Sequence, residues 1–210
     1  MYGNESEEGR AMKVLFVITL MVVLTGCVSV KYSPIQVDSP VPAINVSICA
    51  TNAPEDIFVL MEGNSCMFPI RADQKLTLTP LAVREKETYY VTVLRNQVWY
   101  DASRRNVPPE GEQGSWIMKF AEKWKKHSQS LWFALIAANV NKSGSEQYAT
   151  QDVSKSPTLK IMRPGRLAFY PNDAIVPILG NFYSNNRGQI WVRIERCATV
   201  CELGVPADSN

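Results

Sequence analysis

The chain has 210 residues with near-balanced charge, 22 lysines and arginines against 20 aspartates and glutamates and a single histidine. A net charge of +2 is far from the dense basic stripe that nucleic-acid binding needs, so nucleic acid is not an expected partner. With 46% hydrophobic residues the chain can bury the core of one domain, with or without a small extension.

Residues 12–26 carry the pattern of a secretion signal. Met12-Lys13 is a short basic start, residues 14–23 form an apolar run, and Leu24-Thr25-Gly26-Cys27 follows. The run falls short of the about 20 residues that a helix needs to cross a bilayer core; it has the length and flanks of a signal-peptide apolar region. Leu-Thr-Gly-Cys resembles the lipobox of bacterial lipoproteins, which implies acylation of Cys27 and cleavage before it. Each buried methylene of an acyl chain contributes roughly 0.8 kcal/mol, so several chains hold a protein at a membrane. An ordinary signal peptide, or a membrane anchor with a chance cysteine, is the alternative. Residues 1–11 set Glu5, Glu7 and Glu8 against Arg10. An acidic leader suits a signal poorly, so Met12 is the expected start and residues 1–11 a misassigned or non-native leader. Val28 stands where an aspartate would resemble the inner-membrane retention signal. The expected location is therefore the outer membrane, facing the periplasm or the cell surface.

From Cys27 onward 184 residues remain. Residues 27–42, with Pro34, Pro40 and Pro42, read as a tether, and residues 43–210 as one domain. Besides Cys27 there are Cys49, Cys66, Cys197 and Cys201. An even number in an oxidising compartment suggests two disulfides, with three connectivities open. The spacings contain no Cys-x-x-Cys pair, which disfavours zinc. Cys197 and Cys201 would lie about 13 Å apart in an extended strand, too far to bond unless the chain bends between them.

Short alternating or apolar runs then follow in order. Residues 43–49, 57–61, 76–81 and 88–94 are candidate strands. Residues 131–140 are apolar and ambiguous between strand and helix; residues 166–170 and 189–195 alternate again, with Ile190, Val192 and Ile194 on one face. Short strands separated by Gly, Pro and Asn clusters predict an all-β fold, an antiparallel β-sandwich of the jelly-roll, galactose-binding-domain-like type. One segment differs. Over residues 115–127, Trp116, Ile117, Phe120, Ala121 and Trp124 fall at helical spacing, with Lys119, Glu122, Lys123, Lys125 and Lys126 on the other side. This predicts one inserted amphipathic helix. Packing over an open end of the sandwich is the favoured role; a basic, tryptophan-bearing helix lying on a membrane surface is the alternative.

Chemistry concentrates in residues 165–195, GRLAFYPNDAIVPILGNFYSNNRGQIWVRIE. Asp173, Asn185 and Asn186 place hard oxygen atoms in loops between neighbouring strands. Calcium takes 6–8 such oxygens at roughly 2.3–2.6 Å. Asn, Asp and Gly also dominate ordinary turns, so the same residues have a purely structural reading. The order of a Gly-x-Leu strand, Asn-Asp, a variable loop, an aromatic pair, Asn-Asn-x-Gly and an alternating last strand resembles the C-terminal half of the LecA-type bacterial galactose lectins. The resemblance spans about residues 76–196. It implies a calcium ion held by the Asp173, Asn185 and Asn186 side chains and the Phe182 carbonyl, with a further carbonyl from near Asp101. It implies too that sugar hydroxyls complete the shell. Trp99, Tyr100 and Tyr183 are the aromatics near these loops, and Glu110 lies in Val107-Pro108-Pro109-Glu110-Gly111, where the lectins carry their sugar-contacting His-Pro-x-Gln segment. With one firm carboxylate, calcium affinity should be near the ~10⁻⁴ to 10⁻³ M of extracellular modules.

No Gly-x-Ser-x-Gly elbow, phosphate-cradling loop or His-Glu-x-x-His occurs in the sequence, and no enzyme is expected. His127 reads as a solvated residue at a helix C-terminus. Glu110 and Glu112 with Asp101 would supply the carboxylates of a glycosidase, but nothing in the sequence fixes their separation. The expected function is a cell-envelope lipoprotein with a calcium-dependent carbohydrate-binding module. Its partners would be the membrane, through acylated Cys27, and a glycan. The alternative is a structural or assembly lipoprotein whose sandwich binds a protein and neither sugar nor metal.

Overall fold

The computed structural model describes residue 49 and residues 57–101, 106–176 and 180–198. The expected leader, Cys27, the tether, Cys201 and the first candidate strand apart from Cys49 lie outside them. In chain order the strands are β1 (Ser65–Arg71), β2 (Thr77–Val83), β3 (Thr88–Val93), β4 (Leu135–Val140), β5 (Gln147–Asp152), β6 (Thr158–Lys160), β7 (Gly165–Pro171), β8 (Ile175–Val176), β9 (Gly180–Asn181) and β10 (Gln189–Arg196). Two four-stranded sheets run in the orders β1-β10-β3-β6 and β2-β7-β4-β5, and β8 and β9 form a separate small ladder. Every ladder is antiparallel. With the β8–β9 pair set aside, β10 is the eighth strand. The first strand then pairs with the eighth, the second with the seventh, the third with the sixth and the fourth with the fifth. That is one long hairpin rolled into two layers, the jelly-roll arrangement. The fold is an all-β antiparallel sandwich with one inserted helix.

Alternation explains the register. Ile190, Val192 and Ile194 face the core from β10, opposite Ile70, Phe68 and Cys66 of β1, while Val192 and Ile194 oppose Val93 and Val91 of β3. The ambiguous run at 131–140 is a strand from Leu135 onward. All six β4 residues are buried, because both faces of the strand are apolar. Leu135 and Ala137 join the inter-sheet core. Ile136, Ala138 and Val140 form a second cluster with Ala168 and Tyr170, against which Leu76 and Leu78 pack. A strand covered on both sides shows a continuous apolar run instead of a period of two.

Two expectations need correction. Residues 57–61 do not form a strand; Phe58 alone makes an isolated parallel bridge to Leu81. The run stops at a turn in which Gly63 has φ +73° and the Asn64 amide donates to the Met61 carbonyl. The helix is also shorter than its apolar pattern. α1 covers Trp116–Ala121, followed by a 3-10 turn at Glu122–Trp124. The chain leaves the helical path at Lys125, whose non-helical backbone (φ −56°, ψ 138°) bridges to Ala174, while its buried ammonium pairs with Glu122. Met118, Ala121 and Trp124 pack on the core, whereas Trp116 and Phe120 face outward.

Cys49 and Cys66 form a disulfide across 17 residues, and the Cys49 amide donates to the Met67 carbonyl at 2.7 Å. Cys197 is disulfide-bonded as well. Among the described residues no helix is long and apolar enough to cross a membrane.

Candidate functional site

β7 ends at Pro171 and delivers Asn172 and Asp173 to one end of the sandwich, where the 3-10 turn Phe182–Asn185 precedes β10. Tyr100 and Arg187 exchange backbone hydrogen bonds of 2.9 and 2.7 Å, which bring Asp101 to the same place. Gly188, at φ +88°, permits this approach. A Cβ there would sit 3.1 Å from the Tyr100 ring, in a backbone conformation that L side chains rarely adopt.

The Asp173 carboxylate is buried and held on both oxygens. Oδ1 accepts from the Ala174 amide at 2.7 Å, and Oδ2 accepts from Asn186 Nδ2 at 2.8 Å. The Asn186 amide nitrogen also donates to the Ala72 carbonyl at the end of β1, at 3.3 Å. The Asn185 and Asn186 Oδ1 atoms are buried with no hydrogen-bond partner. Burial pushes the Asp173 carboxyl up to about 6, a rise that the Asn186 and Ala174 hydrogen bonds oppose and the Asp101 charge adds to. A buried carboxylate, a second carboxylate close enough to repel it and the unpartnered Oδ1 of Asn186 make a cluster with an excess of acceptors, and Asn185, next in the chain, carries a second unpartnered oxygen. Such a cluster gains most from a hard cation. The residues present therefore fit calcium by donor type. Among the described residues no three His, Cys, Asp or Glu side chains could together hold a metal, so any ion here depends on amide and backbone oxygens.

Two residues hold this loop in a role that only the fold reveals. Tyr183, fully buried, donates its hydroxyl to the Pro171 carbonyl at 2.9 Å and accepts from the Asp173 amide at 3.3 Å. Asn172, also fully buried, accepts from the His127 amide and donates to the His127, Ser130 and Leu131 carbonyls. It stitches the segment after the helix to the Asp173 loop, aided by the Lys126 amide on the Asp173 carbonyl at 3.0 Å. Phe133, at φ +61°, is kept in its strained backbone by the Asn172 carbonyl and by Trp99, whose indole donates to the Phe133 carbonyl at 2.9 Å.

The predicted residues divide accordingly. Asp173 and Asn186 meet through a side-chain hydrogen bond with the Asp101 charge beside them, Asn185 is the neighbour of Asn186 in the chain with its own Oδ1 buried, and the Phe182 amide donates to the Ala174 carbonyl at 3.3 Å. Trp99 and Tyr183 are core residues with no exposed surface, so neither can present a ring to a ligand. Their polar tips fix backbone instead. Tyr100 is half-buried beside Gly188 and remains at the rim. Glu110 is exposed and lines a separate cleft of about 220 Å³ with Tyr90, Thr92, Ser154 and Pro157; none of Asp101, Asp173, Asn185 and Asn186 lines it. Glu112 exchanges backbone hydrogen bonds with Trp132. His127 Nδ1 lies 3.0 Å from the hydroxyl of buried Ser130.

No family model and no curated protein matches the chain. Among solved structures it is similar to one described as "EclA N-terminal domain; PllA-like lectin". The identity is 16%, covering 62% of this chain and 94% of that one, with a TM-score of 0.37.

Proposed function

We propose that the chain is a cell-envelope lipoprotein carrying a calcium-dependent carbohydrate-binding module, and that it is a binding protein rather than an enzyme. The reading rests on the buried Asp173 carboxylate hydrogen-bonded to Asn186, whose Oδ1 is buried without a partner. The sequence resemblance to LecA-type lectins supports it. Asp173, Asn185 and Asn186 would hold the ion through side chains, with the Phe182 and Asp101 carbonyls as further donors. Bound calcium offers open coordination positions to which adjacent sugar hydroxyls bind. The chain's own residues do the rest. Tyr183 and Asn172 hold the loop backbone, and Tyr100 stands at the rim, where a ring can cover the apolar side of a sugar. Cys27 would carry the acyl anchor.

Thermal unfolding in excess calcium and then in chelator tests the ion. At 100 times its dissociation constant calcium adds roughly 2.7 kcal/mol, which should raise Tm by several degrees in the wild type and leave Asp173→Asn unmoved. An equal response in both proteins, or none in the wild type, would sink the calcium reading. A glycan array in calcium, repeated with chelator, then tests the ligand class. Metabolic labelling with palmitate, compared between wild type and Cys27→Ser, tests the anchor.

A further inference from the structure

α1 presents its two largest side chains the wrong way for a helix that only caps a sandwich. Trp116 is 71% exposed and Phe120 70%, and their rings meet edge to face at 6.2 Å. The orientation is fixed. The Ser115 hydroxyl caps the helix through the Met118 amide, and Met118, Ala121 and Trp124 pack on the core. Gly114 lies so close to Trp132 that a Cβ would come within 2.5 Å of the indole nitrogen. Glu122 Oε2 accepts from that same nitrogen at 2.7 Å. The helix has no freedom to roll and bury the aromatic pair.

Charge around the pair is one-sided. Lys119 and Lys123 are exposed, and Lys123 Nζ lies 4.4 Å from the Trp124 ring centroid. The acid of this stretch, Glu122, is ion-paired with buried Lys125. We propose that Trp116 and Phe120, flanked by Lys119 and Lys123, form a wedge that seats in the headgroup region of an anionic lipid bilayer. Aromatic rings concentrate at that depth, lysines reach from it toward the phosphates, and an anionic surface attracts each nearby lysine. A neutral sugar would gain hydrogen bonds but no charge attraction from the flanking ammonium groups, whereas an anionic surface gains both. The wedge depends neither on calcium nor on the acyl chain. Beside a lipid anchor it would fix the domain's orientation at the surface.

The test uses the full chain in vesicles of equimolar phosphatidylglycerol and phosphatidylcholine, with acyl chains brominated to quench tryptophan. Residues 1–42 contain no tryptophan, and Trp99, Trp132 and Trp191 are buried. All five emit, but quenching by the brominated chains reads chiefly Trp116, with half-buried Trp124 as background. Quenching should appear in the wild type, weaken in pure phosphatidylcholine and lose its main component in Trp116→Phe. Lys119→Gln and Lys123→Gln, each removing one charge, should each weaken the partition into the anionic vesicles about fivefold. Phe120→Ser keeps the reporter and should make its quenching shallower. Both aromatic substitutions alter exposed residues, so the fold is retained. Quenching equal in wild type and Trp116→Phe would overturn the proposal. So would a Trp116 emission change elicited by glycans and absent with vesicles.

Discussion

At the scale of single residues the site turns on Asp173. Its carboxyl titrates near 6 in the folded domain against an ordinary 3.8, chiefly because of burial. Between those values the folded state keeps a proton that the unfolded chain has lost. Stability of the calcium-free domain should therefore be highest below about pH 4 and fall as pH rises through about 6, by at most about 3 kcal/mol from this group. Urea denaturation in chelator across this window should show the loss in the wild type and lack this component in Asp173→Asn. That variant should be the more stable protein at neutral pH without calcium and the one that gains nothing when calcium is added. Tyr183→Phe tests the support. It removes the donor to the Pro171 carbonyl and the acceptor for the Asp173 amide. It should cost about 1–2 kcal/mol and weaken the calcium response, both visible in the same melts. Asp173, Asn185 and Asn186 drew the eye in the sequence because hard oxygen donors at loop positions announce themselves, and the fold joins Asp173 to Asn186. The work of Tyr183 and Asn172 was not legible there, since it acts on backbone atoms that only the fold brings near. Trp99 and Tyr183 misled for a related reason: an aromatic beside a loop reads alike whether its ring faces ligand or core.

At the scale of elements, the segment from Glu122 to Phe133 is an irregular strap in which one side chain, Asn172, bonds four backbone groups. Asn172→Ala would strip hydrogen bonds from the His127 amide and the His127, Ser130 and Leu131 carbonyls, leaving buried groups unpaired in a domain that must also hold Phe133 at φ +61°. A loss of about 3 kcal/mol is expected, read by urea denaturation. Amide exchange in residues 122–133 should rise more than in β10. The strands most legible in sequence were β2, β3, β7 and β10, whose apolar residues alternate or cluster beside turn residues. The central strand β4 was half legible, being apolar on both faces. Among the main strands, those missed were β1, β5 and β6, and each is the edge of its sheet. β1 carries Pro69, which an edge strand tolerates and a central one does not. β5, QYATQD, has only Asp152 buried, so it offers no hydrophobic signal; β6 is three residues long. Edge strands bury less and alternate less, and their pairing is set by neighbours far away in sequence. The helix was over-read for the opposite reason. Its apolar spacing runs through Trp124, but the backbone bridge from Lys125 to Ala174 takes the chain off the helical path.

At the scale of the whole molecule, β1 links two features with separate duties. Cys66, near its start, is tied to Cys49, and Ala72, just past its end, accepts a hydrogen bond from Asn186. Six residues of extended chain place them about 20 Å apart. Cross-linking residues 17 apart limits the unfolded chain and stabilises the folded one by about 3 kcal/mol. The Asp173–Asn186 cluster depends instead on the loops that gather at the far end: the turn before β10, the exit of β7 and the Tyr100–Arg187 pair. If the sheets transmit little strain along β1, the two should behave independently. Replacing Cys49 and Cys66 together by serine should lower stability by about 3 kcal/mol in urea and leave the calcium concentration at half-saturation unchanged. Tyr183→Phe should do the reverse in proportion, with a smaller loss of stability and a clear shift in calcium midpoint. A disulfide-free domain that still folds but has lost its calcium response would mean that the loop cluster is held from the other end of the sheet. The division of labour along β1 would then be wrong.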